Sequence, residues 1–493
     1  VYNRQPAEPF SSTLTIADRD TQFDVGLAQG KALVVGDVTG DLIDDVILLL
    51  PGLPGEAPFR AGLFFGQPGP EGWPDTLSLD AADVVFQGEE SVPDLAPAAA
   101  GVGDVNGDGV GDLLLGDPNA ASPEGRAYLI LGRRGGGWPA VSSLADADWH
   151  LSVPGAIGFG GSVAAAGDVN GDGLADLLIG AAAIYDQSGA TWLFLGRELG
   201  TPPAKVAFYS PVGATPLPPN LAGLGDTNGD GLSDLLIASP GAEVALVYGR
   251  PDDDWPSPPS PTVSLGADAD ALFDAFGTEQ TVSSAGDLNG DGLADMLVGD
   301  PEAVPASVFV LYGRRPETAW PGPITPIDDA ADASFVENDI AGSRLGAGLA
   351  AFGDVDGDGL EDFAFGQPGS GPEQDRTAIV LTGRSHLAPN MPVESATYII
   401  TGTVVASQRS GEYLSAGDVT GDQIPDLLIG AMGDNQAYLF PGDYDPGMVA
   451  GIARVEVGLY GPVTDATVPV TMSMPVAWET ATLADAGGAL SPW

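Results

Sequence analysis

The chain has no cysteine and only two histidines, and two of its 17 basic residues are lysines. The absence of cysteine excludes disulfide bonds, thiolate nucleophiles and zinc–thiolate sites. The histidines, His150 and His386, lie far apart in predicted outer strands or connectors, where surface positions are the expected interpretation. No phosphate-binding P-loop, nucleophile elbow or zinc-binding histidine pair occurs. We therefore expect no catalytic residues, no organic cofactor and no enzyme activity.

Positive charge is also scarce, since 69 acidic residues give a formal net charge of −52. This balance argues against nucleic acid or an anionic membrane as a partner. No apolar run reaches the roughly 18 residues of a transmembrane segment, so none is predicted. With 44% hydrophobic residues, the chain can still bury a large core. The acidity is typical of a cation-binding protein or of a salt-tolerant surface, and both explanations remain open.

A stretch of alternating acidic residues and glycines, GDVNGDGVGDLLLG from Gly103, is one of seven related copies in the chain. The leading aspartates are separated by 58 to 67 residues, a near-constant period that indicates a repeat protein. We call the nine residues from each leading aspartate a loop and number its positions 1 to 9. The loops are loop 1 (37–45), loop 2 (104–112), loop 3 (168–176), loop 4 (226–234), loop 5 (287–295), loop 6 (354–362) and loop 7 (418–426).

Oxygen-bearing side chains stand at positions 1, 3, 5 and 9 of each loop, and position 7 offers a main-chain carbonyl. Glycines at positions 4 and 6 permit the positive φ angles that turn these oxygens toward one point. Several carboxylates without histidine or cysteine favour Ca²⁺. Position 12 is an apolar residue rather than the glutamate of an EF-hand, so each loop should join two strands. The predicted ligands are Asp37, Thr39, Asp41, Ile43, Asp45, Asp104, Asn106, Asp108, Val110, Asp112, Asp168, Asn170, Asp172, Leu174, Asp176, Asp226, Asn228, Asp230, Leu232, Asp234, Asp287, Asn289, Asp291, Leu293, Asp295, Asp354, Asp356, Asp358, Leu360, Asp362, Asp418, Thr420, Asp422, Ile424 and Asp426.

Loops 1 and 7 depart from the pattern, so the predicted count is up to seven calcium ions of unequal affinity. Thr39 and Thr420 replace the usual asparagine at position 3, and Leu42 and Gln423 replace glycine at position 6. We expect these two sites to be the weakest. Loop 6 has a fourth carboxylate, Asp356, and should be the tightest. Seven dications would add only +14 to the net charge, so calcium accounts for part of the acidity.

The rest of each period predicts four short strands separated by turns, without helical periodicity. Four strands repeated seven times are typical of a seven-bladed β-propeller with antiparallel blades, an all-β fold. The last repeat shows only three strands, so the N-terminal segment 15–26 should supply its outer strand and close the ring. Connectors carrying Trp-Pro, such as Trp138-Pro139, should cover the edges of their blades; a carbohydrate platform is the alternative.

These repeats resemble the FG-GAP repeats of the integrin α-subunit propeller and of bacterial surface proteins. The resemblance covers residues 15–442 and rests on the loops, on Phe159-Gly160 and Phe276-Gly277, and on the Leu345-Gly346 variant. It implies a seven-bladed propeller with calcium in the hairpin between the first two strands of a blade. It also implies ligand binding on the opposite face, where the segments 51–60, 117–126 and 367–376 should lie.

Two domains are expected: the propeller over residues 1–442 and a β-rich tail, or the start of a further domain, over 443–493. Strand-like alternation at 452–461 and 467–476 suggests that this tail docks on the propeller or mediates self-assembly. The sequence favours an extracellular or cell-surface calcium-binding module for adhesion, interaction or structure, with a protein or glycan ligand. A propeller enzyme acting on polysaccharide, or a lectin, is the alternative.

Overall fold

A computed structural model describes residues 21–24, 30–51, 58–69, 73–74, 76–88, 97–120, 123–135, 137–184, 187–196, 206–209, 217–241, 243–251, 254–255, 262–275, 277, 279–316, 320, 324–337, 342–369, 375–380, 387–401, 409–431 and 436–442. These residues form 34 strands, β1 to β34, in seven sheets, with two four-residue α-helices and three 3₁₀ turns. The tail 443–493, with its predicted docking or assembly role, lies outside the described residues.

Each sheet is one blade, with four main strands ordered from the inside of the ring to the outside, and the repeats run in chain order. Blade 1 has β2 Lys31–Val34, β3 Val46–Leu50, β4 Arg60–Phe64 and β6 Val84–Gln87; blade 2 has β7 Ala98–Gly103, β8 Asp112–Asp117, β9 Arg126–Ile130 and β11 Trp149–Leu151; blade 3 has β13 Ser162–Gly167, β14 Asp176–Ile184, β15 Gln187–Phe194 and β16 Val206–Tyr209; blade 4 has β17 Asn220–Gly225, β18 Asp234–Ala238, β19 Val244–Val247 and β21 Ala271–Asp274. Blade 5 has β22 Thr281–Gly286, β23 Asp295–Asp300, β24 Ala306–Leu311 and β26 Ala333–Glu337; blade 6 has β27 Leu349–Gly353, β28 Asp362–Pro368, β29 Asp375–Val380 and β31 Tyr398–Thr401; blade 7 has β32 Ser410–Gly417, β33 Asp426–Ala431, β34 Gln436–Phe440 and, from the N-terminal segment, β1 Thr21–Asp24.

The remaining elements belong to the connectors. They are β5 Thr76–Leu77, β10 Val141–Ser143, β12 Ala156–Ile157, β20 Thr262–Ser264, β25 Thr325–Pro326, β30 Met391–Pro392, α1 Leu265–Asp268, α2 Ile327–Ala330, and the 3₁₀ turns Leu79–Ala81, Leu144–Asp146 and Val393–Ser395.

The blades form a closed ring, as the repeat count predicts. Inner strands contact the inner strands of both neighbours, and β2 of the first repeat contacts both β7 and β32. On the outside of blade 7, β1 pairs antiparallel with β34, placing Thr21 opposite Leu439 and Asp24 opposite Gln436. The first and last repeats are therefore joined through both the innermost and the outermost strands.

The hydrophobic core lies between neighbouring blades. In β8, Leu113 and Leu115 pack toward blade 1, whereas Leu114 packs toward blade 3. Successive side chains of a strand point to opposite faces, so a fully buried strand supplies two interblade cores at once. Burial of each such leucine contributes about 1.5–3 kcal/mol.

The four Trp-Pro connectors, and the connector of blade 6, which lacks this dipeptide, lie on the outer edge of the preceding blade, so the expectation that a Trp-Pro connector covers its own blade is wrong. Five connectors each supply a short parallel strand to the outer edge of the blade before them: β5 pairs with β1, β10 with β6, β20 with β16, β25 with β21, and β30 with β26. Trp73, Trp255 and Trp320 are buried in the interblade cores. These three indoles therefore do not form an exposed carbohydrate platform.

Candidate metal centres

Every loop joins the first and second strands of its blade, so all seven lie on one face of the propeller. In each loop the position 1 aspartate is half-buried and the position 9 aspartate is buried. The carboxylates therefore lead from the partly exposed start of the loop to the buried start of the second strand. The predicted position of the loops within the blade is confirmed.

The carboxylates at positions 1 and 5 are turned into the loop, as loop 2 illustrates. Asp104 Oδ1 accepts the main-chain N–H groups of Gly107 and Asp108 at 2.6 and 3.0 Å, and its Oδ2 accepts that of Gly109 at 2.7 Å. Asp108 Oδ1 accepts the N–H of Val110 at 2.9 Å. Glycines at positions 4 and 6 adopt φ values of 79° and 80° here, conformations in which other residues are strained. The Asp104 and Asp108 carboxylates are thus held in place by main-chain N–H groups of their own loop.

The position 9 aspartate holds the loop to its blade in every repeat. Asp112 Oδ2 accepts the N–H of Val105 at 3.0 Å, and its Oδ1 accepts the N–H of Gly132, which follows the third strand, at 2.8 Å. The bond from position 2 recurs in all seven loops at 2.8–3.0 Å, and the bond from the glycine recurs in six. All seven position 9 carboxyl groups have 0% exposure. This residue is consequently a structural clamp as well as a candidate ligand.

Burial raises the pKa of these clamp carboxyl groups because desolvation disfavours their charged form. The pKa rises to about 7 for Asp45, Asp176, Asp295 and Asp426, and to about 6 for Asp112 and Asp234. The main-chain N–H groups oppose this effect, while the neighbouring carboxylates of the same loop add to it. A cation among the carboxylates would favour their charged form, since it is the opposite charge that the loop lacks.

Loop 6 brings carboxylates closest together. Single oxygens of Asp354, Asp356 and Asp362 all lie within 4.8 Å of one another, a spacing that one cation could bridge. In loops 2 to 5 position 3 is asparagine, so the corresponding third oxygen is an amide. Carboxylate, amide and carbonyl oxygens are a hard donor set that fits Ca²⁺. The residues present therefore fit the implied metal, most completely in loop 6.

Loops 1 and 7 keep the loop backbone despite their different residues. Leu42 and Gln423 adopt φ values of 73° and 69°, close to those of the glycines that they replace. The Thr39 hydroxyl donates to Asp37 Oδ1 at 3.3 Å, and the Thr420 hydroxyl to Asp426 Oδ1 at 3.5 Å. Each threonine hydroxyl thus approaches a candidate ligand carboxylate of its own loop.

Two sets of residues that position the site were not predicted. Position 2 is an apolar core residue in six loops, exemplified by Val105, which lies in the interblade core while its N–H binds position 9. In loop 4 this position is Thr227, whose hydroxyl and N–H both donate to Asp234 Oδ2, at 2.5 and 2.8 Å. The second set is the glycine after the third strand; its repetition in the sequence was visible, but its donor role was not.

His150 lies in the outer strand β11, is exposed, and packs edge-on against the Tyr128 ring at 5.3 Å. His386 lies outside the described residues. The predicted surface setting of His150 is confirmed.

Comparisons with known proteins give a repeat family and a set of relatives. The FG-GAP repeat family matches residues 159–194, which begin just before β13 and end with β15, the third strand of blade 3. Integrin alpha-PS2 of Drosophila melanogaster is 30% identical over 172 residues, covering 31% of this chain and 11% of the relative. Integrin alpha-V of Gallus gallus is 25% identical over 346 residues, covering 64% of this chain and 30% of the relative. Integrin alpha-5 of Xenopus laevis is 24% identical over 240 residues, covering 44% and 20%.

The repeat match, the integrin relatives and the seven-bladed fold together support an integrin-like FG-GAP β-propeller, which confirms the resemblance drawn from the sequence. The matches span between about a tenth and a third of the length of these relatives. Among the described residues, no helix is long and apolar enough to cross a bilayer.

Proposed function

We propose that this chain is an extracellular calcium-binding propeller that serves as a non-catalytic adhesion or interaction module. The observation that carries the proposal is the sevenfold loop, in which inward-turned carboxylates stand on one face of an integrin-like fold. When bound, calcium would supply positive charge among carboxylates that otherwise repel one another. The candidate ligands are those predicted from the sequence, at positions 1, 3, 5, 7 and 9. Bound metal would also stiffen a chain that has no disulfide bonds.

Removal of one ligand tests the calcium assignment. Asp354→Asn keeps the size of the residue but removes its charge, so bound calcium should fall by one ion per chain. The matched control is Asp328→Asn, which removes the same charge from an exposed position on α2. Isothermal titration with Ca²⁺ should give one site fewer for the first variant and an unchanged number for the second. Equal stoichiometry in both variants would contradict the assignment of loop 6.

Ligand binding is proposed for the face opposite the loops, where the first strands begin. Among the described residues, a basic cluster stands out there: Arg344 and Arg409 converge on the buried Glu412, with side-chain nitrogens 3.2 and 2.5 Å from Oε1. Lys31, at the start of β2, lies 4.5 Å from the centre of the Tyr413 ring beside this cluster. These three residues belong to a total of only 17 basic residues in the chain.

Both arginines occupy left-handed backbone, with φ of 53°, where the equivalent residue of blade 3 is Gly158. A non-glycine residue in this conformation costs about 1–2 kcal/mol, and such strain concentrates at functional sites. Arg344→Gly or Arg409→Gly should therefore preserve the fold while removing a guanidinium from the proposed ligand face. Capture of ligand proteins by wild type and variants, in saturating calcium, tests this. If both variants captured ligand proteins as well as wild type does, the arginine cluster would not be part of the ligand-binding surface.

A further inference from the structure

The loops are linked to one another by main-chain hydrogen bonds that run around the propeller. In each link, the N–H at position 8 of one loop donates to the carbonyl at position 1 of the preceding loop. The observed links are Gly111 to Asp37 at 3.2 Å, Ala175 to Asp104 at 3.0 Å, Ser233 to Asp168 at 2.9 Å, Ala294 to Asp226 at 2.8 Å, Glu361 to Asp287 at 3.2 Å and Asp44 to Asp418 at 2.8 Å. We call these six bonds the interloop links.

The seventh link is absent because position 8 of loop 7 is Pro425, which has no N–H. Pro425 otherwise occupies the same place as its equivalents. A Cβ built on Gly353, which precedes position 1 of loop 6, would lie 2.6 Å from Pro425 Cγ. A Cβ on Gly225, which precedes position 1 of loop 4, would likewise meet the Ala294 side chain, at 3.4 Å. The proline thus interrupts the hydrogen bond and leaves the packing in place.

Side-chain packing reinforces the interloop links. A Cβ built on Gly107, at position 4 of loop 2, would lie 3.1 Å from Leu174 Cδ2, at position 7 of loop 3. The same contact joins Gly171 to Leu232 and Gly290 to Leu360, at 2.9 and 3.0 Å. In these pairs the position 7 residue of one loop therefore rests on the position 4 glycine of the loop before it.

These contacts connect candidate ligands of adjacent sites. Position 8 stands between the position 7 carbonyl and the position 9 carboxylate. Its N–H donates to the main-chain carbonyl of the position 1 aspartate in the preceding loop. We infer that cation binding in one loop orders the next, so that the loops bind as one coupled chain in the order 7–1–2–3–4–5–6. This inference rests on the proposed calcium binding. Coupling of this kind is reciprocal, so each site helps both of its neighbours.

The link between loops 7 and 1 is the most extensive. In addition to the main-chain bond, the Asp44 side chain accepts the N–H of Asp418 at 2.9 Å. These are also the two loops with threonine at position 3 and strained residues at position 6. The coupled chain therefore joins the two weakest predicted sites to each other and, through Gly111, joins loop 1 to loop 2. Through this coupling, loops 1 and 7 would bind calcium at concentrations too low to fill either loop alone.

The test breaks one link with a substitution that the protein itself uses. Ala294→Pro removes the N–H between loops 4 and 5, and Pro425 shows that position 8 tolerates proline. Ala294→Ser is the matched control, since loop 4 has Ser233 at this position and serine keeps the N–H. Native mass spectrometry of the whole chain, titrated with Ca²⁺, resolves how many ions each molecule holds. Wild type and Ala294→Ser should populate few partly filled species. Ala294→Pro should instead give two separate groups of calcium-binding steps, with binding at loops 4 and 5 weakened by about fivefold.

A second variant adds the missing link and so does not depend on tolerance of a new proline. Pro425→Ala supplies an N–H for the Asp354 carbonyl. It should reduce the population of partly calcium-filled molecules relative to wild type. If wild type binds several ions in independent, statistical proportions, or if Ala294→Pro titrates like Ala294→Ser, the coupling is overturned while calcium binding stands. If wild type retains no ion at all, both the coupling and the proposed function fail.

Discussion

Loops 2 to 6 and loops 1 and 7 share one backbone but not one set of ligands. Loops 2 to 6 have asparagine or aspartate at position 3 and glycine at position 6, whereas loops 1 and 7 have threonine at position 3 and Leu42 or Gln423 at position 6. The φ values at position 6 nevertheless agree, 73° and 69° against 80° to 89° in the other five. The shape of the loop is therefore fixed by its aspartates and by the interblade packing. Affinity for a cation is a separate property, set by the ligand residues that differ between the two kinds of loop, above all at position 3.

The clamp at position 9 should stabilise both kinds of loop, and its loss should have the largest effect. Asp112→Ala leaves two buried N–H groups without an acceptor and Asp45→Ala leaves three, at about 1–3 kcal/mol apiece. We expect a loss of unfolding free energy of about 2–6 kcal/mol for Asp112→Ala and about 3–9 kcal/mol for Asp45→Ala in calcium-depleted buffer, measured by denaturant titration.

The control for the clamp variants is Asp108→Asn, which changes an exposed position of the same loop and should cost far less. If Asp45→Ala proved as mild as this control while Asp112→Ala did not, the two kinds of loop would not share the clamp.

The raised pKa of the position 9 carboxyl groups predicts that acidification stabilises the calcium-depleted protein and reduces the stabilisation that calcium gives. Burial raises the pKa of Asp45 and Asp426 to about 7, above the ordinary value of 3.8 that applies in the unfolded chain. The contribution of these groups to stability is thus fully present below the unfolded pKa and is lost as pH rises through about 7. The Tm of calcium-depleted protein should rise on acidification from pH 8 to pH 5.

Calcium needs the deprotonated carboxylate, so the gain in Tm on adding calcium should shrink over the same range. Differential scanning calorimetry at constant ionic strength measures both trends. A calcium-depleted Tm that falls on acidification would show that the clamp carboxyl groups are not raised in pKa.

Substitution at position 3 should make a weak loop resemble a strong one. Thr39→Asn replaces a hydroxyl with an amide oxygen, a better ligand for Ca²⁺. We expect the affinity of loop 1 to rise about tenfold, which corresponds to about 1.4 kcal/mol. Terbium luminescence can follow the site, and Thr39→Ser, which keeps the hydroxyl, is the control. Equal affinities for the two variants would place the difference between the loops elsewhere.

Substitution at position 6 should separate shape from affinity and have the smallest effect. Leu42→Gly relieves a left-handed residue, and because Leu42 is 88% exposed it removes little packing. We expect a gain of about 1 kcal/mol in the calcium-depleted protein, with the reciprocal Gly109→Leu losing about as much. Thermal unfolding of both variants measures the change. A loss of stability in Leu42→Gly would mean that the leucine makes contacts that stabilise loop 1.

The fold and the candidate ligands were accessible from the sequence because both repeat. Asp104, Asn106, Asp108 and Asp112 are polar residues at fixed spacing before an apolar strand, and seven copies separate a motif from a chance turn. The clamp role of Asp112 was not accessible, since its partners Val105 and Gly132 donate through main-chain N–H groups that every non-proline residue possesses.

The interloop links could not be predicted from the sequence for the same reason, since they are also main-chain hydrogen bonds. Only Pro425 carries a sign of them in the sequence, as the one position 8 residue that cannot donate. The covering strands of the connectors were hidden by their length, because β5 and β25 have two residues each and show no alternation to detect.

Counting the calcium ions that the intact chain retains after dialysis against metal-free buffer tests the central claim most directly. Elemental analysis against protein concentration gives the number without a probe. The account predicts five to seven ions per chain, with any shortfall arising from loops 1 and 7. A count near zero would contradict it, and the seven loops would then be structural turns whose acidity reflects the surface of the protein alone.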